Sequence, residues 1–191
     1  MNHKISNILI VVVGIMLVIM AFTCFSVIAR GQDNVIKNCL VYKVIDGDTI
    51  RCSVGDEKYY VRFIGADTPE ITWGKNECYG QEGKQYLVDN IYGKYVNLTF
   101  EGGKTYGRVV AWVSDDKNLY NLNLVLFGYA RQTTERFPTK LYPSSLFIQS
   151  ELVARYNSFG GWGSSCSSEF ISWYYKKQFS DREKIQKGVS K

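Results

Sequence analysis

Between Asp46 and Glu70 the chain reads DGDTIRCSVGDEKYYVRFIGADTPE, which places Asp48, Asp67 and Glu70 close in sequence to Arg62. These residue types suit two tasks. Carboxylate oxygens bind a hard metal ion, and the planar fork of arginine binds phosphate oxygens bidentately without losing its proton. An oxygen-only ligand set selects calcium or magnesium over zinc or copper, and a loop-built site that keeps several waters suits calcium. Tyr106-Gly107-Arg108 offers a further arginine later in the chain. The single histidine is His3, at the far end of a long apolar segment. That placement removes histidine metal sites, histidine general bases and Ser/His triads from the domain.

Each of these short runs also has a plain structural reading. Asp46-Gly47-Asp48 carries the Asp-Gly signal of a tight hairpin, Asp67-Thr68-Pro69-Glu70 reads as a loop, and Tyr106-Gly107-Arg108 as a turn. The carboxylates become a site only if the elements around them bring them to one rim. Leu40 to Ile45 and Ile50 to Val54 alternate as strands on either side of Asp46-Gly47-Asp48-Thr49. Tyr59 to Ile64 reads as the next strand, and Pro69 ends strand geometry at Asp67. A polar loop, Ile71 to Tyr79, precedes a helix opened by Gly80-Gln81-Glu82, with Tyr86, Leu87, Asn90 and Ile91 near one face. Tyr95 to Phe100 is a strand, Glu101-Gly102-Gly103-Lys104 a turn, and Val109 to Val113 a strand. Asn121 to Phe127 is a helix stopped by Gly128, and Ser144 or Ser145 can cap a helix running to about Asn157. Strands, a helix, more strands and two helices describe an α+β domain with a small barrel-like sheet.

At 191 residues, 46% of them apolar, the chain can bury one compact core. Its net charge of +5 is modest, so bulk charge alone does not argue for a nucleic-acid partner. Ile8 to Ala29 runs without a charge between Lys4 and Arg30, long enough for a retained membrane anchor, although Val27-Ile28-Ala29 offers small residues where a signal peptidase could cut. Either way residues 1–30 place the domain outside the cytoplasm. Residues 31–37 form a linker, 38–166 the domain and 167–191 a basic aromatic tail. Cys39, Cys52, Cys78 and Cys166 lack metal-ligand spacing, and their even number suits an oxidising compartment. Cys78 with Cys166 is the expected pair, because both lie in segments poor in apolar patterning; Cys52 can equally be a small buried side chain. In the tail, Phe170, Trp173, Tyr174 and Phe179 recur near helical spacing, which favours a helix packing an aromatic stripe on the domain over a membrane or base-stacking segment.

Asp46-Gly47-Asp48-Thr49, Arg62 through Glu70, Tyr106-Gly107-Arg108, and Asn121-Leu122-Asn123-Leu124 with Gly128 together resemble the staphylococcal nuclease family in order and spacing. Ser150-Glu151, Ala154 and Trp162 continue the likeness, which covers residues 38–164. It implies an OB-fold five-stranded barrel with three helices and calcium-dependent hydrolysis of DNA or RNA to 3′-phosphorylated products, by a monomer. By matching position it implies Asp48 and Asp67 as metal carboxylates and a Thr68 carbonyl ligand. Glu70 would orient or deprotonate water, Arg62 and Arg108 would hold the scissile phosphate, and Tyr106 would lie beside the substrate. The chain departs from the family at Thr105, where a lysine or arginine is usual. It departs again at Gln132-Thr133-Thr134, where tyrosines near the nucleotide are expected. A non-catalytic nucleic-acid- or protein-binding module on the same barrel is the alternative; retention of the acidic cluster argues against it, since carboxylates repel phosphate.

Overall fold

A computed structural model of the chain describes residues 34–105 and 107–188. The expected anchor or signal segment and Tyr106 lie outside the described residues. Among those described, no helix is long and apolar enough to cross a membrane.

Five strands close a barrel in the order β1-β2-β3-β6-β5: β1 Val35–Asp46, β2 Thr49–Val54, β3 Glu57–Phe63, β5 Tyr95–Thr105 and β6 Arg108–Ser114. β1 begins inside the stretch expected to be linker, where Val35 and Ile36 pair with Thr99 and Leu98 of β5. Closure comes from β3 and β6, which run parallel with Val61 opposite Val109 and Arg62 opposite Val110. Alternation along β2 and β3 sends Ile50, Cys52, Val61 and Phe63 inward, all 2% exposed or less. Thr49 and Arg62, paired across β2 and β3, therefore share the other face at the rim. A short second sheet joins β4 (Ala66–Asp67) to β7 (Arg131–Gln132), with Asp67 opposite Arg131.

Four α-helices accompany the barrel among the described residues: α1 Gly80–Ile91, α2 Tyr120–Leu126, α3 Ser144–Tyr156 and α4 Ser167–Gln186. Three match the family's expected number. The fourth is the tail, helical as its aromatic spacing predicts, so the domain exceeds the three-helix expectation. Asn121 fixes α2 to the barrel end: its amide donates to the carbonyls of Ile64 and Ala111 at 2.8 and 3.1 Å, while its carbonyl accepts from Val113 N–H at 2.8 Å. α3 starts after Pro143 without a side-chain cap, so neither Ser144 nor Ser145 plays the expected capping role.

The turn expected at Glu101 to Lys104 is instead part of β5. The strand pairing slips between Phe100 and Lys104, then resumes through Lys104 opposite Val109 and Thr105 opposite Arg108. Glycines within a strand favour such a bulge. The reversal falls beyond Thr105, where Gly107 takes φ 77°, a left-handed conformation that glycine adopts without a Cβ clash.

Both disulfides form. Cys78 joins Cys166, as expected, and Cys39 joins Cys52 across β1 and β2. The reading of Cys52 as a lone buried thiol is overturned because Val41 faces Cys52 in the strand register, bringing Cys39 within a Cα distance of 5.5 Å.

Candidate active site

The β1–β2 turn is tight because the Asp46 carboxylate accepts the Asp48 N–H at 3.1 Å, an Asx turn that fixes the reversal locally. Gly47 lets that turn press against Thr68: a Cβ there would lie 2.8 Å from Thr68 Cγ2. Asp48 is thereby delivered, fully buried, onto the segment that follows β4. Its Oδ2 accepts from the Thr68 N–H at 2.9 Å and the Thr68 hydroxyl at 3.2 Å, and its Oδ1 accepts from the Thr49 hydroxyl at 2.9 Å.

Arg62 ties the two aspartates together. Its Nη1 donates to Asp48 Oδ1 and its Nη2 to Asp67 Oδ1 at 2.7 Å, so one guanidinium spans both carboxylates. Asp67 is held from the other side by Arg131, whose Nε donates to Oδ2 at 2.9 Å. The charges of the two aspartates are set apart by these surroundings. Burial pushes the Asp48 carboxyl up to about 8 against the pull of Arg62, with Asp46 and Asp67 adding to the rise. Burial also works to raise Asp67, but Arg62, Arg131 and Lys177 outweigh it and hold that carboxyl at about 2. Burial disfavours the charged form of Arg62, yet the aspartates around it lift its basicity further.

Asp48, Asp67, Thr68 and Arg62 are thus brought together at one rim. Glu70 is not joined to them: among the described residues its carboxylate accepts from the Thr72 N–H at 3.1 Å and from the Thr72 hydroxyl. Pro69 turns the chain away after Thr68, and the loop folds back on Glu70 through Glu77, whose carboxylate accepts the Glu70 N–H at 2.7 Å. Arg108 opens β6 on the strand beside β3, its guanidinium 6.0 Å from the Tyr60 ring centre, with Arg51 at 5.0 Å from the same ring. The parallel register sets Arg108 next to Tyr60, two positions before Arg62, or roughly 7 Å along the strand.

Sequence reasoning missed Arg131. Nothing at Gly128-Tyr129-Ala130-Arg131 distinguishes it locally; only the pairing of β7 with β4 sets it opposite Asp67. The tyrosines expected after α2 have a partial counterpart in Tyr129, which stacks between Tyr86 and Tyr79 with ring centres 4.9 and 5.6 Å apart. Gln132 and Thr134 are buried and bonded to each other, the Thr134 N–H and hydroxyl both donating to Gln132 Oε1 at 2.9 Å.

No group of three or more Asp, Glu, His or Cys side chains among the described residues could hold an ion alone. The donor set nevertheless fits a hard cation with outside help. Two carboxylates already converge on one positive group, a pair of oxygen donors that a divalent cation could share. Water and phosphate oxygens would complete the shell, as is usual for calcium.

A closed five-stranded barrel with a carboxylate–arginine cluster at its rim defines an OB-type domain. Residues 60–164 match the family model described as staphylococcal nuclease homologue, and the chain belongs to that family of nucleases. A protein of Haemophilus influenzae named as an uncharacterized endonuclease is 30% identical over 157 residues, covering 81% of this chain and 80% of that one. Thermonucleases of Staphylococcus hyicus and Staphylococcus intermedius are 33% and 32% identical, over 48% and 54% of this chain and 56% and 60% of theirs.

Proposed function

We propose that the protein is a calcium-dependent phosphodiesterase that cuts DNA or RNA outside the cytoplasm and leaves 3′-phosphorylated ends. The observation that carries this reading is the single guanidinium of Arg62 spanning Asp48 and Asp67 at the barrel rim. Asp48, Asp67 and the Thr68 carbonyl would hold calcium, which when bound supplies positive charge to the phosphate oxygens. Thr49 and the Thr68 N–H and hydroxyl fix Asp48, so its carboxylate needs no reorientation to bind. With the aspartates engaged by calcium, Arg62 would be free to donate its fork to phosphate oxygens. Arg108, one step along the same sheet, supplies a second guanidinium. Glu70 acts as the base or orienter of water once its loop releases it from Thr72. The two disulfides support an oxidising, extracytoplasmic setting, to which residues 1–30 would deliver the domain as a retained anchor or a cleaved signal.

Cleavage of denatured DNA by the full chain, with calcium and with a chelator, tests the reading. Cutting that requires calcium and ends in 3′-phosphates is the expected result. A folded protein that binds DNA but does not cut it with calcium supplied would make it a binding module instead.

A further inference from the structure

α4 lies beyond residues 60–164, which carry the family match, yet it reaches the carboxylate at the centre of the site. Asp181, on the last turns of α4, is 8% exposed and accepts from Arg131 Nη2 at 2.7 Å. Arg131, 6% exposed, uses its Nε on Asp67 Oδ2 at 2.9 Å. One planar guanidinium therefore links Asp181 to Asp67 through two of its nitrogens, and Arg136 closes on the other oxygen of Asp181. Lys177, one turn before Asp181 on the same face, adds positive charge toward Asp67.

The helix is held firmly enough to transmit position. Its start is bonded covalently to the Glu70 loop through Cys166 and Cys78. Phe170, Trp173 and Tyr174 are buried against Ala154 and Trp162, and the Tyr174 hydroxyl donates to Glu151 at 2.9 Å. The carboxylate of Glu151 in turn accepts the Gln132 N–H at 2.9 Å, on the same short strand as Arg131.

We infer that Asp181 is a positioning residue for the metal site: it aims Arg131 at Asp67 Oδ2 and so keeps Asp67 Oδ1, which Arg62 holds, within reach of a cation. This rests on the nuclease reading above. Without Asp181, Arg131 keeps its charge but loses the second anchor of its fork, and the Asp67 carboxylate gains freedom to rotate. Groups that orient a metal ligand from behind typically change metal affinity or activity by about 10- to 100-fold when removed.

The experiment compares the full-length parent with Asp181→Asn, Asp181→Glu and Glu183→Gln. Glu183 is exposed on α4, so Glu183→Gln removes the same charge from the same helix without touching Arg131. Calcium affinity is read by calorimetry in the absence of nucleic acid, and kcat and KM on denatured DNA are read separately. The expected result is a calcium affinity about tenfold or more weaker in Asp181→Asn, with kcat lowered more than KM raised. Asp181→Glu should recover part of the loss and Glu183→Gln should match the parent. If Asp181→Asn folds and binds calcium like the parent, or if Glu183→Gln weakens binding equally, the inference is overturned. Should Asp181→Asn fail to fold, Arg131→Lys decides, because one ammonium cannot serve both carboxylates in the fork geometry; calcium binding equal to the parent's would again overturn it. A folded parent that neither binds calcium nor cuts DNA fails the nuclease reading itself, and this inference with it.

Discussion

The barrel interior and the cluster beneath α4 are both closed to water, but they are built from different side chains. Val41, Ile50, Val61, Leu87, Leu98 and Leu124 in the barrel core are all fully buried and aliphatic. Under α4 the buried residues are Ala154 and four aromatics, Trp162, Phe170, Trp173 and Tyr174. Rings there meet tilted or edge to face, with Trp162 4.9 Å from Tyr174 and 5.2 Å from Phe170. The indole N–H groups of Trp162 and Trp173 find no acceptor among the described residues. A barrel aligns its side chains through backbone ladders, and aliphatic groups fill most of its core, with Phe63, Trp112 and Phe147 among them. α4 has no ladder to join, and large rings, a disulfide and buried ion pairs hold it in place. The two regions meet at Asp67, which Arg62 holds from the barrel and Arg131 with Asp181 hold from the α4 side.

The sharpest way to break this contrast is to cut the covalent tie to α4. Cys78 and Cys166 are 88 residues apart, so replacing both with serine should cost about 4.6 kcal/mol on the chain-entropy account. In urea, tryptophan fluorescence should then report loss of the α4 cluster before far-UV circular dichroism reports loss of the barrel; coincident transitions would mean one cooperative unit. Leu98→Ala in the barrel core should cost roughly 3 kcal/mol and shift both probes together. Replacing Cys39 and Cys52, only 13 apart, with serine should cost about 2.9 kcal/mol, and a loss matching that of the longer loop would erase the distinction between the two ties. Phe179→Ala marks the lower end. This ring is 67% exposed on α4, outside the cluster, and its removal should change urea stability by less than about 0.5 kcal/mol.

Much of the fold was legible because each barrel strand alternates on its own and each helix has its own period. The helix of the tail could be read from Phe170, Trp173, Tyr174 and Phe179 for the same reason, although Phe179 faces solvent instead of joining the packed stripe. The β5–β6 hairpin was misread because two glycines resemble a turn when nothing shows that both flanks pair across it, and pairing is a property of two strands. At the site, the gathering of Asp48, Arg62, Asp67 and Thr68 was legible because the motif keeps them on successive elements. The orientation of Glu70 was not, since its bonds to Thr72 and Glu77 depend on how a loop folds back.

By itself the sequence determined the chemistry available: carboxylates and arginines without a histidine in the domain, on strands whose alternation decides which face each side chain takes. It also determined the tight Asp46-Gly47-Asp48 reversal, because that turn is made by bonds between near neighbours. Only the tertiary structure decided that Arg62 would lie between two aspartates, that Cys39 would meet Cys52, and that Asp181 would stand behind Asp67 through Arg131. Local periodicity follows from the geometry of a few consecutive residues, whereas these contacts join groups far apart in sequence. They exist only once barrel closure and helix docking have fixed where each element stands.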